Sequence, residues 1–521
     1  MGARRTKRYK VFEDKFSELP DEVLSFILSQ LSLREMVSSS ILSSRWRYIW
    51  KTSAKYSHKI NLDVLSMRGR NYANGMFHDF ICNDAYRRST EYLLNFANET
   101  PRWFKEDHYV EKRNLLDKER CKFVRWADMM MQLDYNSVID SFRLEFCLNK
   151  DFTHSIDKWI SIAIAKGVKN FDIDLSNLVP ISDWCSKKLY KFPCHLFTED
   201  AAGLVKRLSL STCDLANLDF KYFQSLVDLH LEDIDLEDID LDQDNIISSF
   251  LSGCPNIEKL SLIKIRIPSR LDIVGPSLKL KHLKIQDCGV PHIINIDAKS
   301  LSKFEYLGAR VNFLFYLPQL SDVTFHFVET NFPDGLDYAL GQLSTDFPKL
   351  ESLSLTVARH KDTTIRRRLP LFTNLKELVL KVICPGEVLW GFIPLLQASP
   401  CLHSLELHLF QSATKSDPVP WHLALPHHHL KEMKLTGFNG SHHEVEFLRY
   451  ILGNCKALEN MTIDCESKKY DYRQGKFYCS ESSPQGRKKK KEATRQKMKT
   501  EIAARRAVRN VMRPGLQLRF V

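Results

Sequence analysis

The feature that most limits what this chain can become is a six-residue phrase, Leu-x-x-Leu-x-Leu, that returns along much of its length. It reads Leu226-Val227-Asp228-Leu229-His230-Leu231, then Ile257-Glu258-Lys259-Leu260-Ser261-Leu262, and continues through Leu280 to Ile285, Leu350 to Leu355, Leu375 to Leu380, Leu402 to Leu407, Leu430 to Leu435 and Leu458 to Ile463. Earlier copies lie at Phe142 to Phe146 and Leu204 to Leu210, and weaker ones at Phe304 to Leu307 and Leu320 to Phe325. From position 210 onward the closing residues follow one another at intervals of 18 to 31. Apolar alternation of this length is the pattern of a strand with one buried face. A unit so short cannot cover that face alone, so each must stack on the next. Between the phrases, Asn245 to Cys254 (followed by Pro255), Phe392 to Pro400 and Val445 to Cys455 read as returning helices stopped by Gly or Pro.

These features predict an α/β solenoid, an irregular leucine-rich-repeat array with parallel strands on a concave face and helices or loops on the convex face. Charged and His residues alternate with the buried leucines, as in Asp228/His230 and Glu406/His408, and are expected to line the inner surface. The 521 residues are then spent mainly on one elongated array rather than on three separate globules. The formal charge of +11 also divides unevenly: residues 1–10 carry +5, residues 481–521 carry +10, and the body between them is −4. Two basic ends on a near-neutral body do not make an extended nucleic-acid footprint. Thirteen cysteines, without a leading secretory segment, point to reduced thiols and to the nucleus and/or cytoplasm. There is no charge-free run of eighteen apolar residues that would span a membrane.

Ahead of the repeats, residues 14–50 read as a small helical unit. Val23, Leu24, Ile27, Leu28 and Leu31 recur at three-four spacing after Pro20, and a second stretch holds Met36, Val37, Ile41 and Leu42, then Trp46, Ile49 and Trp50. About forty residues cannot readily bury this much apolar surface. The unit either takes a partner surface or docks on its own chain.

Phe16-Ser17-Glu18-Leu19-Pro20-Asp21-Glu22-Val23-Leu24, running on to Leu31, and Leu42-Ser43-Ser44-Arg45-Trp46-Arg47-Tyr48-Ile49-Trp50 resemble the F-box. Phe123-Val124-Arg125-Trp126, Ile139 to Leu144 and Cys254-Pro255-Asn256-Ile257-Glu258-Lys259-Leu260 are similar to inter-repeat phrases of plant F-box proteins that join this module to leucine-rich repeats. Leu430 to Leu435, Glu444 to Phe447 and Asn454 to Glu459 resemble the FBD-type C-terminal region of the same proteins. The similarity covers about residues 14–465, with the basic tail after 480 outside it.

The resemblance implies the substrate-recognition subunit of an SCF-type E3 ubiquitin ligase, held by a Skp-type adaptor and through it by cullin and RING subunits. Such a subunit is not an enzyme and needs no cofactor. Leu19, Pro20, Val23, Leu24, Ile27, Leu28, Leu31, Val37, Leu42, Trp46 and Trp50 fall where the family buries hydrophobic side chains inside the box or against the adaptor. Of these, Pro20 and Leu28 are expected at the interface, and Trp46 and Trp50 in either place. No residue is assigned to the protein substrate.

The expected division is a basic N-terminus (1–13), the F-box (14–54), a helical or irregular linker (55–135), leucine-rich repeats (136–420), FBD-like repeats (421–465), a flexible basic linker (466–492) and a basic C-terminal helix or tail (493–521). Within the tail, Met498, Ile502, Ala503 and Val508 would form a thin apolar side. Catalytic and metal signals are poor. His427-His428-His429 and His442-His443 have no Cys-x-x-Cys or His-Glu-x-x-His beside them, Cys254 and Cys455 fit stacking positions, and the acidic run from Glu232 to Asp242 has no calcium-loop glycine. Two other readings stand beside the ligase subunit: a repeat scaffold outside any ligase, and a nucleic-acid-associated protein using Arg4 to Arg8 and Arg487 to Lys491, runs without interleaved aromatics.

Overall fold

The computed structural model describes residues 18–29, 31, 38–39, 41–53, 59–68, 106–132, 139–176, 189–215, 220–234, 246–265, 270–275, 278–289, 292–309, 311–327, 343–358, 369–383, 389, 392–410, 427–465, 468–471, 476–479, 498, 500–502, 504–506, 509 and 514–521. The chain divides into two compact units, Met1–Asp228 with Asp233–Asp238, and Leu229–Glu232 with Ile239–Val521.

In the first unit, β1 (Lys59–Asp63), β2 (Ser141–Glu145), β3 (Asn170–Asp174) and, past the short β4 (Tyr190–Lys191), β5 (Arg207–Ser211) make a parallel ladder in the order β1-β2-β3-β5. β4 pairs with the equally short β6 (Cys213–Asp214). β1 lies inside the stretch expected as linker. Ile60 and Leu62 alternate as in every later rung and stand opposite Phe142 and Leu144, so the array begins some eighty residues earlier than its first Leu-rich phrase. The same stretch holds the helix Glu106–Met131. Phe123 stacks on Phe146 with ring centroids 4.2 Å apart, and Arg120 Nε donates to the Cys147 carbonyl at 2.7 Å. Trp159, buried on the helix Thr153–Ala165 with Ile156, Ile160 and Ala163, donates to Asp128 Oδ1 at 2.9 Å.

The second unit continues with β7 (Asp228–Glu232), β8 (Lys259–Ile263), β9 (Arg270–Val274), β10 (His282–Gln286), β11 (Ile293–Asp297), β12 (Lys303–Gly308), β13 (Asn312–Tyr316), β14 (Asp322–Phe327), β15 (Ser352–Ala358), β16 (Glu377–Ile383), β17 (Ser404–Phe410), β18 (Glu432–Thr436), β19 (Asn460–Asp464), β20 (Lys468–Asp471), β21 (Lys476–Cys479) and β22 (Gln517–Phe520). Its main sheet runs β7-β8-β10-β12-β14-β15-β16-β17-β18-β19-β22. Helices return the chain at Ile246–Gly253, Ile393–Gln397 and His442–Asn454, close to the expected segments.

From β8 to β14 the expectation of returning helices or loops is corrected. There the return is a second parallel sheet, β9-β11-β13. Closing positions 262, 285, 307 and 325 leave too few residues for a helix, and Leu271/Ile273, Ile294/Ile296 and Phe313/Phe315 alternate as strands. The two sheets meet through aromatic rings, Tyr306 on Phe313 at 5.0 Å and Phe304 on Phe315 at 5.6 Å between centroids, and Phe347, just past the helix Leu343–Asp346, packs on Phe315 at 5.1 Å. Such pairs contribute roughly 0.5–1.5 kcal/mol beyond area burial.

One backbone device recurs at the head of the strands. A carbonyl on one rung accepts the amides of two consecutive residues on the next: Asp140 from Lys169 and Asn170, Glu258 from Lys281 and His282, Ser321 from Glu351 and Ser352, His403 from Lys431 and Glu432. A turn precedes it, in which the amide of the phrase's first apolar residue reaches back three positions, as from Ile257 to Cys254, Leu402 to Ser399 and Leu458 to Cys455. At the strand exit the chain turns through left-handed backbone at Thr212, Asp233, Lys264 and Asp287, with φ of 51–57°. After β18 that corner is Gly437, with φ of 73° and a would-be Cβ 2.1 Å from the Leu409 carbonyl oxygen.

The C-terminal expectations are corrected in three respects. Within the supposed flexible linker, Lys468–Asp471 and Lys476–Cys479 form an antiparallel pair with Tyr470 in register with Phe477. The tail ends in a strand, β22, which adds parallel to β19 with Leu518 opposite Met461 and Phe520 opposite Ile463. The helical residues before it bury Thr500 and Ala504, while Met498 and Ile502 are exposed; Ala503 and Val508 lie outside the described residues. Arg505 covers the Phe520 ring at 4.3 Å.

Gly437→Ala is expected to lower stability by at least about 2 kcal/mol, because the added carbon meets rigid backbone at a positive φ. Gly203→Ala, in the helix Glu199–Leu204 with open space around the site, should stay within about 0.5 kcal/mol of the parent in urea unfolding. Equal effects of the two would show that the corner does not constrain the array.

Candidate interaction surfaces

Among the described residues, the N-terminal unit holds the helices Asp21–Ser29 and Ser44–Ser53. Asp21 and Glu22 place negative charge in the first turn of the first helix, and the Leu24 amide closes that turn on the Pro20 carbonyl at 3.1 Å. Ser43 caps the second helix, its Oγ accepting from the Trp46 amide at 3.2 Å. Arg45 ties the two together, donating from Nε to Asp21 Oδ1 at 2.8 Å and from its other nitrogen to the Leu19 carbonyl.

Leu24, Leu28 and Ile49 form the fully buried core, with Leu19 and Trp46 packed against it. Leu28 therefore corrects the expectation of an interface residue: four positions after Leu24 on one helix face, it points at Ile49 and is 0% exposed. Pro20 is exposed and Ile27 half-buried; Val37 and the Trp50 side chain lie outside the described residues. Val23, Leu31 and Leu42 are exposed, and so are three residues outside the expected set of F-box positions, Phe26 at 60%, Ile41 at 83% and Tyr48. These six are a large share of the fifteen large hydrophobic residues exposed among the described residues. Phe26, three after Val23 and off the Leu24/Leu28 stripe, carries the signal that was available: a bulky apolar residue on the outer face of an amphipathic helix.

The sheet faces differ between the units. In the first, Asp63, Glu145 and Asp174 stand in register, with Asp172 beside them. Arg143 supplies cationic partners at 2.5 Å to Glu145 and 3.4 Å to Asp172. Burial raises the Glu145 pKa, Arg143 opposes that, and the neighbouring carboxylates add to it.

In the second unit the face carries Glu–His–Lys clusters. Glu232 meets Lys264 at 3.0 Å and His230 at 3.8 Å; Glu305 meets Lys303 at 3.1 Å and His282 at 3.2 Å; Glu406 meets Lys434 at 3.1 Å and His408 at 3.2 Å. The imidazole contact first, then the ammonium, pulls each carboxyl down to about 2 against the opposing effect of burial. Strand register places Thr324, Ser354 and Val379 in a row between Glu305 and Glu406. Two positions further along these strands run His326, Thr356, Lys381 and His408. Burial, and then Lys381, push His326 down to about 3; burial lowers Lys381 as well, countered by Glu305 and Glu406. The result is a floor of small side chains between two charged clusters. It can hold hydrogen bonds and charge, and its carboxylates are already engaged. Glu406 and His408 were expected on this face; Glu305, His326 and Lys381 were not, although each occupies an alternate position of a strand phrase.

Among the described residues no three His, Cys, Asp or Glu side chains gather as metal ligands. Cys254 and Cys455 are buried at the helix-to-turn junctions, and burial pushes the Cys254 thiol up to about 12, far from a thiolate. No described helix is long and apolar enough to cross a membrane.

Against known families, residues 16–58 match the F-box domain and residues 133–519 match the family described as At1g61320/AtMIF1, LRR domain. The latter match runs past the limit of about 465 expected for the resemblance and takes in β20 to β22. Among Arabidopsis thaliana proteins, the chain is 24% identical to a putative F-box/LRR-repeat protein, At4g15060, over 84% of this chain and 90% of that one. It is likewise 24% identical to the F-box/FBD/LRR-repeat protein At1g13570, over 86% and 91%.

The depressed carboxyls have a definite pH signature. A folded pKa near 2 against an ordinary 4.5 means that each contribution is present above about pH 4.5 and is lost as pH falls toward 2. Glu305→Gln should cost on the order of 1 kcal/mol at pH 7, after allowance for solvent screening. Its stability difference from the parent should shrink as denaturation is repeated from pH 5 to pH 2.5; a pH-independent difference would contradict the ion-pair assignment.

Proposed function

The chain belongs to the plant F-box family built on leucine-rich and FBD-type repeats, and we propose on that premise that it is the substrate-recognition subunit of an SCF-type ubiquitin ligase. The exposed apolar residues of the N-terminal helical unit carry this reading. Val23, Phe26, Leu31, Ile41, Leu42 and Tyr48 leave bulky apolar side chains in water, and a Skp-type adaptor is the partner that would cover them. Leu24, Leu28 and Ile49 hold the helices in place beneath that surface.

In this role the chain makes and breaks no bonds. The repeat face of the second unit holds a protein substrate over the floor between Glu305 and Glu406, while the F-box ties the complex through the adaptor to cullin and RING subunits. Tethering raises the effective concentration of substrate lysines near the ubiquitin carrier.

The test is capture of the Skp-type adaptor by the full chain. Phe26→Asp with Leu42→Asp should weaken capture at least tenfold with the helices intact, because it charges the exposed surface. Leu28→Ala should act through folding of the unit, at a cost of about 2–5 kcal/mol. Adaptor captured equally by a chain lacking residues 14–50 would sink the assignment, and no capture by the parent would favour a repeat scaffold outside any ligase.

A further inference from the structure

In the main sheet of the second unit, β22 pairs with β19 along one side, and among the described residues no strand lies along the other. The Gln517 amide donates to the Glu459 carbonyl at 2.8 Å and the Val521 amide to the Ile463 carbonyl at 3.0 Å, so the backbone groups of 517, 519 and 521 face β19. Backbone groups alternate in direction along a paired strand, which turns the N–H and C=O of Leu518 and Phe520 outward. Among the described residues, nothing accepts or donates a hydrogen bond there. Burial changes at the same place. Met461 and Ile463 are buried, whereas Leu518 and Phe520, in register with them, are only half-buried. Arg505 lies over the Phe520 ring and is itself paired with Glu501 at 2.7 Å. The apolar column that passes through the strands is therefore open on this side, next to unpaired backbone.

Register decides which charge fits beside it. Elsewhere on the strand faces a cation stands directly opposite a carboxylate of the adjoining strand: Arg143 opposite Asp172 at 3.4 Å, Lys303 opposite Asp322 at 3.2 Å and Lys434 opposite Glu406 at 3.1 Å. Arg519 stands opposite Thr462, is exposed, and among the described residues has no carboxylate partner. We propose that the outer edge of β22 is a docking site for an extended acidic segment of a protein partner, in which Asp or Glu lies between two apolar residues. Added as a further strand, such a segment engages the Leu518 and Phe520 backbone groups, lays its apolar pair beside their side chains and sets its carboxylate opposite Arg519. Leu405-Glu406-Leu407 shows the same succession within a strand of this array. Arg519 also excludes: a basic segment, or β22 of a second copy, would set like charge against it. The site uses no residue of the N-terminal helices or of the Glu305–Glu406 floor and does not depend on the ligase reading.

The test is saturation-transfer NMR titration of the full chain, at low salt, with the acetylated and amidated peptide Thr-Val-Glu-Val-Thr and its Thr-Val-Lys-Val-Thr counterpart. The Glu peptide should bind the parent at least about fivefold more tightly than the Lys peptide. Arg519→Glu, at an exposed position, should invert that order. Methylation of the three central peptide nitrogens should abolish binding, because it removes the donors a strand needs. Equal affinity of the parent for the two peptides, no binding of either, or a Glu preference that survives Arg519→Glu overturns the proposal. Self-association of the parent in sedimentation, lost in Arg519→Glu, would give the edge to the chain's own residues and overturn it as well. The comparison of the two peptides on the parent decides the matter even if the variant loses its fold, which its thermal midpoint would reveal.

Discussion

A backbone carbonyl that accepts two consecutive amides from the next rung is the interaction on which the repeat units depend. It recurs from Asp140 in the first unit to Lys431 in the second and sets where each strand begins relative to its neighbour. Each bond contributes perhaps 1 kcal/mol net, but a slip of one residue would turn every buried leucine outward, so register is held by bonds and burial together. Leu260, Leu283, Phe304, Val323, Leu353, Leu378, Leu405, Met433 and Met461 then form one buried column, because register leaves them no other face.

The same register composes the exposed rows. Lys434 meets Glu406 because β18 follows β17 without offset, though 28 residues separate them in the chain. Lys264 meets Glu232 for a different reason: it occupies the left-handed corner just after β8, from which its side chain reaches back. These clusters place paired charges on the strand face. On this face the carboxylates are pinned and His326 is buried and neutral.

Much of this was legible beforehand, and the gaps have physical causes. Alternation located the strands, and Gly or Pro stops located the helices at 246–253, 393–397 and 442–454. It failed at β1, where the phrase Ile60-x-Leu62 stands alone without a leading leucine, and at β22, where Leu518-x-Phe520 sits in a strongly basic stretch. In the N-terminal helices, three-four spacing identified an apolar stripe but not its division. Leu28 and Val23 are equally apolar in sequence, and only the position of Ile49 on the second helix decides that one is core and the other exposed.

The sequence by itself determined a stacked array of short parallel strands behind a small helical unit, because period-two alternation and period-3.6 stripes are properties of local chain geometry. Tertiary structure decided what local geometry cannot contain. It chose strands over helices for the returns between β8 and β14 and paired Glu305 with His282 on the neighbouring rung. Each depends on residues brought together from different repeats, whose distances are set by stacking and not by spacing along the chain.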